Sequence, residues 1–274
     1  MIEPDGQGML LGRQTPVIDN YAPQLLYPIP RAAGREHIGC AQAQPFAGSD
    51  LWHAYEISWL DPQGKPEVRV GRLTVPAGSA NMVESKSLKL YLNSLNNTRF
   101  DSAAAVAAVI RGDIAKVVGA QVRLEMLAVD DEKLAGAALS GRCLDSLAVK
   151  APAAEPCADM LELQADLIVE ERLHSHLLRS LCPVTGQPDW ASVWLHYRGA
   201  ALQHESLLRY IIAYRRHQEF HEQCVERMFC DIHRRLEPQF LHIQAFYTRR
   251  GGLDISPFRS TDPAAKALPR LNRQ

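Results

Sequence analysis

A thiol and a carboxyl flank a short turn in Cys182-Pro183-Val184-Thr185-Gly186-Gln187-Pro188-Asp189-Trp190. Pro183 removes a backbone donor and stops the strand before it. An exposed thiol at a strand end can meet a ligand. Asp189 opens the next strand, so it returns close to Cys182. A free thiol titrates near about 8.5 and needs a partner to act near neutrality. Asp189 could take its proton and later return it to a developing anion. The plainer reading is a turn cysteine with an aspartate capping a hairpin.

Three further segments could serve such chemistry. Val83-Glu84-Ser85-Lys86-Ser87-Leu88-Lys89 opens a helix. Free N–H groups in a first turn, with two lysines, suit a phosphate or an electron-rich ring. His221-Glu222 opens another helix, but residue 225 is Val, so the zinc-protease pattern His-Glu-x-x-His fails. Cys224, Cys230 and His233 have no recognised zinc spacing either, and Cys224 is expected to pack inward. Arg249-Arg250-Gly251-Gly252 combines paired guanidinium groups with glycines that allow close backbone approach to a phosphate. Each also has a bland reading: a solvated helix start, a structural histidine, a charged turn.

Periodicity supplies the elements that must position these groups. Trp52–Leu60 and Glu67–Val75 alternate as strands around the turn Asp61-Pro62-Gln63-Gly64, with a phase slip at Gly71 that predicts a bulge. Leu88, Tyr91, Leu92 and Leu95 have helical spacing. So do Val106, Ile110, Ile114 and Val118, between an N-cap at Asp101 or Ser102 and Gly119. Val122–Ala128 alternates again. The second half repeats this order through strands Glu171–Leu181 and Ala191–Tyr197, two helical stripes, and the strand Leu241–Tyr247.

Gly64-Lys65-Pro66-Glu67 mirrors Gly186-Gln187-Pro188-Asp189. At one common offset, Arg99-Phe100-Asp101-Ser102 faces Glu219-Phe220-His221-Glu222, and Leu88/Tyr91/Leu92 faces Leu208/Ile211/Ile212. The implied unit is β-β-α-α-β-β, an α+β plan with two helices on one face of an antiparallel sheet. The expected domains are an irregular N-terminal wrap at 1–50, a first module at 51–130, a linker at 131–165 and a second module at 166–274. The copies diverge in a complementary way. The first keeps Glu84-Ser85-Lys86 but has Asp61 where the second has Cys182, and the second has Gln203-His204-Glu205-Ser206 at its helix start. One site built from both halves would explain this; simple drift is the alternative.

Composition narrows the class. Hydrophobic residues make up 46% of 274, enough for a packed core. A formal net charge of −1 argues against a broad nucleic-acid footprint. There is no apolar run of about 18 residues to span a membrane, and no signal core near Met1. The chain therefore reads as cytosolic, with its six cysteines reduced. No Gly-x-Gly-x-x-Gly or Walker loop is present, so any nucleotide binds without a Rossmann unit.

Taken together, these segments resemble the NADPH-dependent 7-cyano-7-deazaguanine reductases, the nitrile reductases of queuosine biosynthesis, in their long two-module form. Glu84-Ser85-Lys86-Ser87-Leu88-Lys89, Cys182…Asp189, Phe220-His221-Glu222 and Arg250-Gly251-Gly252 match that family. So do Pro28-Ile29-Pro30-Arg31 and Gly141-Arg142-Cys143-Leu144-Asp145. The resemblance implies tandem tunnelling-fold modules and reduction of a nitrile to an aminomethyl group by two NADPH. It implies that Cys182 attacks the nitrile carbon to give a thioimide and that Asp189 donates the proton. Val83, Glu84, Ser85, His221 and Glu222 would surround the base, and Ser85, Lys86, Arg250 and Gly251 would contact NADPH. No metal is implied.

The product is a free base, so no tRNA-binding surface is expected. Open sheet edges make a homodimer the expected assembly. Two other readings stay open on the residues alone: a pterin- or purine-processing cysteine hydrolase on the same fold, and a non-catalytic base-binding module.

Overall fold

The computed structural model describes residues 18–274 apart from 42 and 153. Residues 1–17 of the expected wrap lie outside the described residues. In chain order the first half holds β1 (Pro28–Pro30), α1 (Arg31–His37), β2 (Ala47–Leu60), β3 (Pro66–Pro76), β4 (Asn81–Val83), α2 (Ser85–Asn93), α3 (Ala103–Val118) and β5 (Arg123–Leu127). The second holds β6 (Arg142–Cys143), β7 (Leu163–Leu181), β8 (Pro188–Leu202), α4 (His204–Ala213), α5 (His221–Leu236), β9 (Phe240–Tyr247) and β10 (Leu253–Ser260).

These elements form two compact units, neither contiguous in sequence. The first comprises the segment ending at Gly34, Asp50–Leu134 and Arg249–Ile255. The second comprises Arg35–Ser49, Ala135–Thr248 and Ser256–Gln274. In the first, the strand order is β5-β3-β2 followed by the start of β10. In the second, the rest of β10 leads to β9, β8, β7 and β6.

The plan β-β-α-α-β-β thus holds in the second half. In the first half no long strand follows β5 among the described residues, and the start of β10 takes the place next to β2. Nor is the expected linker wholly irregular. Its residues Arg142 and Cys143 pair in parallel with Leu173 and His174 of β7. The bulge expected at Gly71 is absent from the β3–β5 ladder, which runs unbroken from Val70↔Leu127 to Thr74↔Arg123. Gly71 has a different cause: a Cβ there would collide with the Ile57 side chain.

The two units repeat each other bond for bond at their first helix. Glu84 N–H donates to the Tyr27 carbonyl, and Gln203 N–H to that of Glu162, both at 2.9 Å. The Ser87 hydroxyl accepts from Tyr27 N–H, and the Ser206 hydroxyl from Glu162 N–H, both at 3.0 Å. The Tyr91 hydroxyl donates to Asp113 on the following helix at 2.8 Å, and that of Tyr210 to Asp231 at 2.7 Å. This registers Tyr91 with Tyr210, one residue away from the expected match to Ile211. Burial explains the slip, because Ile211 packs as Leu92 does while Tyr214 occupies the place of Leu95.

Helix boundaries follow local chemistry. The Ser102 hydroxyl accepts from Ala105 N–H and starts α3, and Gly119 at φ 68° ends it. In the second unit Val193 and Leu195 face Leu207 and Ile211 of α4 and Met228 and Ile232 of α5. The sheet face of Trp194 and Phe246 is covered by Leu271 instead.

Helix α5 is pinned by charge. Glu226 accepts from Arg35 at 2.8 and 2.9 Å and from Arg259 at 2.8 and 3.2 Å, and all three side chains are buried. Truncating one member of a buried ion network strands its partners. Glu226→Ala is therefore expected to lower unfolding free energy by about 3–5 kcal/mol in a urea titration. A loss below about 1 kcal/mol would mean that water or neighbouring carbonyls satisfy both guanidinium groups.

Candidate active site

In the second unit, β7 ends at Leu181 and Cys182 begins the turn into β8. Cys182 N–H donates to the Gln187 carbonyl, and Gly186 N–H returns to the Cys182 carbonyl, both at 2.9 Å. Gly186 takes φ 66°, a left-handed conformation suited to glycine. The ladder pairs Leu181 with Pro188 and Ser180 with Asp189, so Asp189 stands two rungs from Cys182, which lies opposite Gln187. Both are buried, at 4% exposure each. For Cys182 this corrects the exposed thiol expected from its place at a strand end. The turn's own hydrogen bonds fold it inward.

A third residue joins this pair through the segment before α5. Leu181 N–H donates to the His217 carbonyl at 2.9 Å, and Leu181 and Gln218 form a parallel bridge. The segment is thereby held along the end of β7, which delivers the first residue of α5 to Asp189. His221 Nε2 lies 3.1 Å from Asp189 Oδ2. The imidazole stacks on Tyr247 with ring centroids 3.9 Å apart. Asp189 therefore has its carboxylate oriented by a ring that is itself held on a platform. Glu222, the next residue, is buried. Cys224 is fully buried, and burial pushes its thiol well above the ordinary value.

The first unit carries the other expected residues. β4 ends at Val83, which pairs with Pro28 of β1, so the Pro28–Pro30 segment sets where α2 begins. Arg31 secures that segment through the Ser79 hydroxyl and the Asp50 carboxylate. Glu84 is the N-cap of α2: Oε1 accepts from Lys86 N–H at 2.8 Å and Oε2 from Ser87 N–H at 2.7 Å. Burial pushes its carboxyl above the usual range, against the pull of those two amides. Sequence spacing located the carboxylate at the helix start but not its engagement with its own helix.

Arg250-Gly251-Gly252-Leu253 is a two-residue hairpin, with Arg250 and Leu253 exchanging backbone hydrogen bonds at 2.9 and 3.1 Å. Both glycines take positive φ, 57° and 79°, as the tight primed turn requires. A Cβ on Gly251 would touch Lys89 of α2 at 3.1 Å, and one on Gly252 would overlap the Glu56 carboxyl. The hairpin thus lies against α2. Arg249 crosses the Tyr55 ring at 3.8 Å. Within this unit Lys86, Lys89, Arg249 and Arg250 supply cations around a glycine turn and a helix start, a donor set that fits a phosphorylated dinucleotide.

Residues 17–126 match the family described as nitrile reductase, 7-cyano-7-deazaguanine-reductase N-term. Residues 188–266 match the QueF-like protein family. The NADPH-dependent 7-cyano-7-deazaguanine reductase of Chromohalobacter salexigens is 50% identical over 266 residues, covering 96% of each chain. The chain belongs to the NADPH-dependent 7-cyano-7-deazaguanine reductase family. A crystal structure of the archaeosine synthase QueF-Like in the apo form is also similar, at 18% identity and a TM-score of 0.31, covering 36% of this chain and 96% of that one.

As a 7-cyano-7-deazaguanine reductase family member, the chain has the tandem α+β tunnelling-fold organisation, with the two family models falling on successive parts of it. Among its described residues no helix is long and apolar enough to cross a membrane. Sequence reasoning missed the Asp189–His221 pair and the Tyr247 platform. The alternation Leu241, Ile243, Ala245, Tyr247 did give the strand that carries Tyr247, the one available signal.

Proposed function

We propose that the chain reduces the nitrile of 7-cyano-7-deazaguanine to the amine of 7-aminomethyl-7-deazaguanine, in queuosine biosynthesis, with Cys182 as nucleophile. The observation that supports it most is the buried hairpin that carries both Cys182 and Asp189, with the Asp189 carboxylate held by His221. A nitrile is a weak electrophile, so addition needs sulfur at carbon and a proton at nitrogen together. The Cys182 sulfur bonds to the nitrile carbon while Asp189 passes a proton to nitrogen, giving a thioimide. The thiol's proton passes to the Asp189 carboxylate, so the addition consumes no net proton. NADPH, when bound, supplies one hydride to that carbon in each of two rounds. Cys182 leaves as the first round completes and takes its proton back from Asp189, and Asp189 reloads from solvent to protonate nitrogen in the second round, so two hydrides and two protons are consumed per amine.

Val83, Glu84, Ser85, His221 and Glu222 are assigned to the base. A deazaguanine offers adjacent N–H donors, and a carboxylate accepts them in pairs. A carboxylate has about four lone-pair sites; on Glu84 the Lys86 and Ser87 amides take two and the Ser85 hydroxyl, at 3.4 Å, takes a third, so pairing with the base displaces that long Ser85 contact. Ser85, Lys86, Arg250 and Gly251 are assigned to NADPH. The modules are read as 51–130 and 166–274, joined by 131–165.

The assembly is read as a homodimer working in the cytoplasm on a free base, without nucleic acid. The exposed Leu167 and Ile168 on β7 support edge-to-edge pairing of two copies. A stable, fully active monomer in light scattering would refute the dimer.

Absorbance at the nicotinamide band tests the activity directly. Two NADPH are expected to be oxidised for each amine formed, since nitrile to primary amine takes two hydrides. A ratio of one would place the end point at the imine. No oxidation would overturn the reductase reading in favour of a hydrolase or a base-binding module.

A further inference from the structure

Away from the residues assigned above, the second unit gathers Cys143, His174 and His176, with one ligand atom from each lying within 4.8 Å of the others. No sequence spacing announced this group. Cys143 comes from the two-residue strand β6, and the histidines come from β7. The parallel pairing of Cys143 with His174 makes the juxtaposition. Asp145 completes it, accepting from the Ser175 hydroxyl at 2.7 Å and from His176 N–H at 3.1 Å. The β7–β8 register shifts between Ser175 and Leu178, so His176 sits where the strand deforms.

The ring nitrogens are the second observation. His174 is 9% exposed, and its Nδ1 is buried with no hydrogen-bond partner. His176 Nδ1 is bonded to the Ser192 hydroxyl at 2.7 Å, which leaves Nε2 for a ligand. His174 therefore offers a buried Nδ1 without a partner, and His176 has one nitrogen held by a protein oxygen and one available. Metal-bound histidines are arranged this way, the outer bond fixing tautomer and aim. A buried nitrogen without a partner is otherwise a cost of roughly 1–3 kcal/mol.

We propose that Cys143, His174 and His176 form a site for a zinc-class divalent cation, with a fourth position open to water. One thiolate and two imidazoles are soft and borderline donors, a set that suits zinc and disfavours magnesium or calcium. Ligand atoms around tetrahedral zinc lie roughly 3.3–3.8 Å apart. Exposed Cys143 must therefore swing inward slightly, which its surface position allows. The metal would fasten β6, otherwise held by two residue pairs, to β7. The site is independent of the reductase reading.

The test uses the full chain, reduced and stripped with a chelator, titrated with Co²⁺ and then Zn²⁺. One equivalent of Co²⁺ is expected to give a thiolate-to-cobalt charge-transfer band and tetrahedral d–d bands that Zn²⁺ displaces. Cys143→Ser is expected to lose the charge-transfer band, and His176→Gln to weaken binding at least about tenfold, as ligand-shell losses do. Both positions reach the surface, so these variants should fold, as their unliganded Tm will show. Cys182→Ala should keep the band, and Zn²⁺ should raise Tm in the parent chain but not in Cys143→Ser. No charge-transfer band, or a band that survives Cys143→Ser or vanishes in Cys182→Ala, would overturn the proposal.

Discussion

Cys182→Ala is expected to abolish turnover, with a loss on the order of 10⁴-fold or more, as removal of an attacking residue does when the rest of the machinery acts only through it. The parent chain mixed with 7-cyano-7-deazaguanine and no NADPH should gain the mass of the nitrile, and peptide mapping should place it on Cys182. The variant should show no such gain and should still bind the base, because the assigned contacts lie elsewhere. Cys182 is buried, so the substitution removes one sulfur atom from an enclosed turn. The turn's backbone bonds, Cys182 N–H to Gln187 and Gly186 N–H to the Cys182 carbonyl, do not need the side chain. Stability should change by about 1 kcal/mol at most. An unchanged mass in the parent chain, or an adduct on another of the six cysteines, would remove Cys182 from the mechanism.

What the sequence revealed about this site depended on how local each feature is. The hairpin between Cys182 and Asp189 was legible because Pro183, Gly186 and Pro188 dictate the turn within a few residues. Helices α2 to α5 were legible because each segment contains its own apolar stripe, and α3 its caps as well. The Asp189–His221 bond was not, because a parallel bridge between Leu181 and Gln218 creates it. No periodicity encodes that bridge.

Strand β10 was illegible for a related reason. All eight of its residues are buried, polar Asp254, Ser256, Arg259 and Ser260 among them, so alternation is lost. Its first residues count with one unit and the rest with the other, which no contiguous boundary can express. The internal repeat was visible but one residue out of register in its first helix. Hydrophobic spacing cannot separate Tyr210 from Ile211 when both are buried. The hydrogen bond from Tyr210 to Asp231 does, and the matching bond from Tyr91 to Asp113 fixes the register of both copies.

Asp189→Asn tests the proton rather than the nucleophile. The amide keeps the size of the carboxylate and can still accept from His221 Nε2, so the 3.1 Å contact and the stacking on Tyr247 should survive. What it cannot do is give a proton to a developing nitrogen anion. General acid–base groups typically contribute about 10²–10⁴ in rate, and a loss in that range is expected in single-turnover measurements. Thioimide formation without NADPH should slow by a similar factor, because sulfur addition and nitrogen protonation are coupled. His221→Ala separates holding Asp189 in place from supplying its proton. It should weaken base binding and blunt the rate, yet leave the reaction dependent on Asp189. Turnover near the parent rate in Asp189→Asn would assign the proton to another donor and leave Asp189 as a hairpin residue that merely anchors His221.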